Sequence, residues 1–167
     1  MSETFSAAVL SLDDLASESD RLKASGRRLV LTNGCFDLLH AGHVDYLARA
    51  RALGDALAVA INSDMSVREL KGPTRPVNAE SDRARVLSAL RAVDYVVVFD
   101  SLRVTEVIRA VRPALYAKGG DYTVETLNPE ERTALQEVGT EIHILPLVPG
   151  RSTTAILARA AQPECGG

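Results

Sequence analysis

From Leu29 onward the chain alternates short, nearly unbroken apolar runs with longer stretches in which apolar residues recur every three or four positions. The runs predict strands at about Leu29 to Thr32, Ala56 to Ile61, Tyr95 to Phe99, Leu115 to Ala117 and Glu141 to Leu145. The periodic stretches predict helices near Val44 to Leu53, Ala79 to Leu90, Val104 to Val111, Pro129 to Val138 and Thr153 to Ala161. Runs such as Ala-Leu-Ala-Val-Ala-Ile and Tyr-Val-Val-Val-Phe lack the polar alternation of a sheet with one wet face. They fit strands covered by helices on both sides. The expected fold is therefore α/β: a Rossmann-like, doubly wound parallel sheet with helices on both faces, in a single domain. A further helix near Leu12 to Ala24, set apart by Ser25-Gly26, reads as an appendage. The expected organisation is an N-terminal helical extension over 1–26, a main domain over 27–161 and a flexible tail over 162–167.

In such sheets ligands gather at the carboxyl ends of the strands. There the sequence from Leu31 to His43, Leu-Thr-Asn-Gly-Cys-Phe-Asp-Leu-Leu-His-Ala-Gly-His, joins an apolar strand to a helix. Free N–H groups and the positive end of the helix dipole favour an anion at that junction, and Gly34 and Gly42 let backbone come close to it. His40 and His43, three apart on the first helical turn, share a face and can donate to one phosphate group. A second helix start, Gly150-Arg151-Ser152-Thr153-Thr154, offers three successive hydroxyls, with capping by Ser152 as its simpler explanation.

Composition narrows the classes. With 167 residues, a net charge of −3 and no cluster of Lys and Arg interleaved with aromatics, the chain lacks the electrostatic footprint of a nucleic-acid binder. No basic leader precedes an apolar run in Met1 to Leu10, and no apolar segment reaches the roughly 20 residues that span a bilayer. The two cysteines, Cys35 and Cys165, suggest no disulfide framework. The expectation is a cytoplasmic protein without nucleic-acid or membrane partners.

Beside Gly34-x-Phe36-Asp37-x-x-His40-x-Gly42-His43, further pieces occur in order: Asn62-Ser63-Asp64, Leu70-Lys71-Gly72, Arg75-Pro76-Val77-Asn78, Asp82-Arg83, Lys118-Gly119-Gly120-Asp121-Tyr122 and the Ser152-Thr153-Thr154 run. On these residues the segment 27–161 resembles the His-x-Gly-His nucleotidyltransferase superfamily, in its cytidylyltransferase-like branch. It is similar there to sugar nucleotidyltransferases that activate D-glycero-D-manno-heptose 1-phosphate. The resemblance implies transfer of a nucleotidyl group from ATP to a sugar 1-phosphate, with catalysis by His40, His43 and Lys71. It implies nucleotide binding by Asn33, Gly34, Cys35, Phe36, His40, Gly42, His43, Lys71, Gly119, Asp121, Ser152, Thr153 and Thr154, and substrate contacts from Asp37, Asn62, Asp64, Arg75 and Lys118. Mg²⁺ would enter with the triphosphate and no metal would be held by the protein itself. A homodimer and a separate sugar kinase are also implied. Pro146-Leu147-Val148-Pro149 lacks the arginine that cytosine-using relatives tend to carry, and this favours adenine. Glycerol 3-phosphate cytidylyltransfer and GTP-dependent heptose 1-phosphate guanylyltransfer stand as alternatives, and Arg151 is out of pattern.

Plainer readings stand beside these. Asp37, His40 and His43 match a carboxylate-and-two-imidazole metal set, although Ala41-Gly42 suits phosphate approach better. Asp37 is otherwise an orienting group for loop backbone or a histidine tautomer. Cys35 lacks the oriented base of a nucleophile. Lys71, expected in a long irregular loop with Arg75, has solvent as its default neighbour. Arg83 reads as a helix-surface cation, with ion pairing or subunit contact weighed equally against substrate contact, and His143 as a packed or edge histidine. A nucleotide-binding regulator and a metal-dependent hydrolase are the function classes that compete with transfer.

Overall fold

The computed structural model describes residues 7–120, 123–146 and 153–161. One sheet of six strands is formed by β1 (Ala8–Leu10), β2 (Leu29–Gly34), β3 (Ala56–Asn62), β4 (Tyr95–Phe99), β5 (Leu115–Gly119) and β6 (Glu141–Leu145). All neighbours are parallel, in the order β1-β4-β3-β2-β5-β6. The helices are α1 (Leu12–Ala24), α2 (Ala41–Arg51), α3 (Asp64–Lys71), α4 (Glu80–Ser88), α5 (Thr105–Val111), α6 (Pro129–Glu137) and α7 (Thr153–Ala160).

Alternate residues of each strand feed two cores. On β2, Leu29 and Leu31 join Ala58, Val97 and Tyr116 under α1, α5 and α6, whose Leu15, Leu22, Ile108 and Leu135 complete that side. Val30 points the other way, with Leu57, Val59 and Val96, under Tyr46 and Leu47 of α2 and Leu87 of α4. Burial on both faces is the reason these strands read as continuous apolar runs. The doubly wound parallel sheet expected from the pattern is the fold observed.

Two expectations change. The segment over 1–26 is not an appendage in its described part: β1 pairs in register with β4, Ala8 with Tyr95 and Leu10 with Val97, and Leu15 and Leu22 are fully buried in the shared core. Secondly, Lys71 lies at the last position of a helix and not in a loop. Ser63 caps α3, its Oγ accepting from the Ser66 N–H at 3.3 Å, and Gly72 ends it with φ of +98°. That φ lies where glycine is at home.

Pairing sets the position of the site. β2 bonds to β3 on one side and to β5 on the other, so strand order reverses at β2. The crevice beyond the carboxyl ends of β2 and β5 is thus the topological switch point.

Candidate active site

β2 ends in Asn33-Gly34, and the chain then turns sharply before α2. Phe36 makes the turn with φ of +46°, a left-handed conformation that disfavours a bulky side chain by roughly 1 to 2 kcal/mol. Its ring folds back over Gly34, where a Cβ would come within 3.0 Å of Phe36 Cε2. A side chain at Gly34 would press that ring outward. The Phe36 ring also meets His43 at a centroid distance of 5.4 Å.

His40 is the N-cap of α2, and His43 stands one turn in. Their rings stack with centroids 3.9 Å apart and planes 29° apart. His43 Nδ1 accepts the His40 backbone N–H at 3.4 Å, so the neutral ring carries its hydrogen on Nε2. Burial, reinforced by the neighbouring His40 ring, pushes the His43 pKa down to about 4. At neutral pH His43 is therefore an uncharged Nε2–H donor at a helix N-terminus.

Asp37 is buried and engaged by protein. Its carboxylate accepts from Arg75 Nε at 2.6 Å and from the backbone N–H groups of Val77 and Asn78 at 2.9 Å. Burial alone would raise its pKa, but the Asn78 and Val77 N–H groups and Arg75 outweigh it and hold the carboxyl below its usual range. The Asp37–His40–His43 metal set is not assembled, and no group of three or more His, Cys, Asp and Glu side chains gathers for a metal among the described residues. The orienting reading of Asp37 is the one the geometry carries, and Arg75 is tied to it.

Asp64 and Asn62 are likewise turned to protein. Asn62 Nδ2 donates to Ser66 Oγ at 2.9 Å, and Asp64 accepts from Arg83 Nη2 at 2.8 Å. Arg83 is not the surface cation its sequence position suggested. Its side chain is fully buried and also donates to the carbonyls of Cys35 and Asn78, at 2.6 and 3.0 Å.

The structure brings other expected residues to the same edge. Arg75 and Arg83 bond to the β2–α2 loop through Asp37 and the Cys35 carbonyl, and Lys71 acts electrostatically on Cys35. Burial dominates there and raises the Cys35 pKa, so the thiol stays protonated and is a poor nucleophile. Lys118, at the end of β5, lies 3.3 Å from both Asn33 Oδ1 and Glu131 Oε2. Tyr116 OH donates to the same Asn33 oxygen at 2.5 Å. Thr153 Oγ1 donates to the Leu38 carbonyl at 3.2 Å, so the start of α7 abuts the loop. Thr154 is exposed beside it, and Gly119 ends β5. Asp121 and Ser152 lie outside the described residues, as does Arg151. His143 sits on the edge strand β6, 2.7 Å from Glu141.

Tyr46 went unnoticed in the sequence. Buried on α2, its hydroxyl donates to the Ala117 carbonyl at 2.9 Å and lies 2.7 Å from Thr32 Oγ1. It fixes the histidine-bearing helix against β2 and β5. An aromatic at a core position of an amphipathic helix gives no sign of a polar duty, so only its hydroxyl, against the Phe alternative, could have signalled it.

Comparison with known proteins now bears on this geometry. Residues 31–159 match the family model described as cytidylyltransferase-like. The chain belongs to the cytidylyltransferase-like family. Among curated proteins it is 46% identical over 151 residues to the Bifunctional protein HldE of Wolinella succinogenes, covering 90% of this chain and 31% of that protein. It is 51% identical over 134 residues to the HldE of Syntrophotalea carbinolica, covering 80% and 27%. The chain thus spans about 30% of the length of the relatives it matches. Among solved structures, a lipopolysaccharide core biosynthesis protein of Thermoplasma volcanium aligns with TM-score 0.61 and 26% identity, covering 74% of this chain and 98% of that one. A pantoate-β-alanine ligase of Francisella tularensis, at 13% identity and TM-score 0.59 over 89% of this chain and 69% of that one, shares the fold.

Proposed function

We propose that the chain is a sugar 1-phosphate adenylyltransferase: D-glycero-β-D-manno-heptose 1-phosphate attacks the α-phosphorus of ATP, giving ADP-heptose and pyrophosphate. The observation that carries the reading is the stacked His40–His43 pair at the N-terminus of α2, in the crevice where strand order reverses. The similarity of 90% of the chain to HldE, together with the ordered motifs, supports the heptose as acceptor.

The acceptor phosphate is ionised at neutral pH, so the chemistry needs alignment and charge stabilisation and no protein nucleophile. Neutral His43 donates from Nε2 to a non-bridging α-phosphate oxygen without introducing a buried cation, and His40 beside it donates to the same group. Lys71 stabilises the charge that accumulates on the departing pyrophosphate. Thr153 and Thr154, with Ser152, hold nucleotide phosphates at the start of α7. Lys118 meets the sugar phosphate at the end of β5, while Asn33, Gly119 and Asp121 contribute to nucleotide binding. Asp37, Arg75, Asn62 and Asp64, held by their protein partners, shape the substrate side of the pocket. Mg²⁺ accompanies the triphosphate and neutralises part of its charge.

The proposal extends to a cytoplasmic homodimer supplied by a sugar kinase activity that lies outside these residues. Among the described residues no helix is long and apolar enough to cross a membrane. The test is incubation with Mg²⁺, the heptose 1-phosphate and, separately, ATP, GTP, CTP and UTP, following pyrophosphate and the mass of the nucleotide sugar. ADP-heptose from ATP supports the assignment. Product from GTP or CTP alone overturns the base, and product only with glycerol 3-phosphate overturns the acceptor.

A further inference from the structure

We infer that Arg83 is a positioning residue for the nucleotide-facing Lys71, acting through the first turn of α3. The inference rests on the nucleotidyl-transfer reading and adds to it a mechanical link that spans three segments. The Arg83 side chain is wholly buried, yet none of its side-chain bonds stays within its own helix. Nη1 donates to the Cys35 carbonyl in the β2–α2 loop, Nε to the Asn78 carbonyl ahead of α4, and Nη2 to the Asp64 carboxylate, the first residue of α3. One turn earlier on α4, Glu80 Oε2 accepts the Asp64 backbone N–H at 2.7 Å. The first turn of α4 therefore grips both the side chain and the backbone of the residue where α3 begins. A second ion pair, Arg75 to Asp37, closes the loop that follows α3 back onto the phosphate loop.

Lys71 is the last residue of α3, seven positions beyond Asp64. At 1.5 Å per residue that is a lever of about 10 Å, so a tilt of about 6° at Asp64 moves Lys71 by about 1 Å. Misplacement on that scale can cost about a hundredfold in rate. The other restraints on the helix also lie in its first turn: Ser66 Oγ accepts from Asn62 and donates to the Ser101 carbonyl at 3.0 Å, and Val67 is buried, whereas Leu70, beside Lys71, is exposed. Its direction is therefore set in that first turn, where the Arg83–Asp64 ion pair is the charged contact. The same guanidinium fixes the Cys35 carbonyl, so Lys71 and the histidine loop are referenced to one buried group.

The experiment is a double-variant cycle with Arg83→Lys and Lys71→Ala, read on turnover and on ATP affinity by calorimetry, with urea unfolding to confirm that each variant is folded. Arg83→Lys should lower kcat by roughly 10- to 100-fold and leave KM for the sugar phosphate within about threefold. In the Lys71→Ala background the same change should alter kcat by less than about threefold, because its effect passes through Lys71. Losses that multiply, or native turnover in Arg83→Lys, would overturn the link. If Arg83→Lys does not fold, Asp64→Asn enters the same cycle with the same expectations. A native protein that binds ATP but turns over no acceptor would overturn the proposed reaction alone, and the cycle would then be read on ATP affinity, where non-additivity is still expected. Failure of the native protein to bind ATP would overturn both.

Discussion

Replacing Asp37 by Asn tests the anchoring of the site in the most direct structural way. The carboxylate is buried, with its side chain 1% exposed, and takes one charge-assisted bond from Arg75 and two bonds from backbone N–H groups. Asn is nearly isosteric, but it keeps a single acceptor oxygen and turns an NH₂ donor toward donors. Hydrogen bonds to a charged group are worth about 1.5 to 3 kcal/mol each, and breaking a buried pair costs about 3 to 5 kcal/mol. Arg75 is partly exposed and can recover water, so the lower end applies, and a loss of about 2 to 4 kcal/mol is expected at pH 7. Against a total of about 5 to 15 kcal/mol, this is large. pH supplies a second check. The folded carboxyl titrates below its ordinary value of 3.8, so its contribution is complete above that pH and is lost as pH falls through the lower folded value. Urea unfolding of the native protein and Asp37→Asn at pH 7 and pH 3 should give a gap that narrows on acidification. A difference below about 1 kcal/mol at pH 7, or one that does not depend on pH, would refute the reasoning.

His43→Ala should fold and lose roughly 10²- to 10³-fold in kcat, the cost of one preorganised donor, in a pyrophosphate-release assay; native turnover would remove His43 from the chemistry. Tyr46→Phe should cost about 1 to 3 kcal/mol in urea unfolding, because the buried Ala117 carbonyl and the Thr32 hydroxyl lose a shared partner. In an NMR titration the His43 ring should stay neutral until about pH 4. Since its unfolded value is near 6.5, the unfolded chain takes up the proton first, and stability from this group should fall as pH drops from about 6.5 toward about 4. A His43 midpoint near 6.5 would mean that the ring is not desolvated.

Much of this architecture was legible because a doubly covered parallel sheet leaves a simple trace. β4 and β6 run over the residues expected from their apolar content, and α1 matches its predicted span. The strands that end in the site are longer than their apolar runs: β2 reaches Gly34, β3 Asn62 and β5 Gly119. Backbone pairing continues there without apolar side chains. The short elements left little pattern. β1 has three residues, and α3 buries a single apolar side chain, Val67, so neither could be separated from loop. The histidine pair was legible because its members are three apart on one helix. Asp37 and Arg83 were not, because their partners are distant: Asn78 is 41 residues from Asp37, and Cys35 is 48 from Arg83. A sequence shows that such charges exist and gives no sign of what they hold.

The central claim is a single in-line displacement on the α-phosphorus, aligned by His40 and His43, with Cys35 left as a half-buried thiol. It is tested most directly by turning over one diastereomer of adenosine 5′-O-(1-thiotriphosphate) with D-glycero-β-D-manno-heptose 1-phosphate and determining the configuration at phosphorus in the product. The account predicts inversion. Retention would mean two displacements through a nucleotidyl-enzyme intermediate and would contradict it.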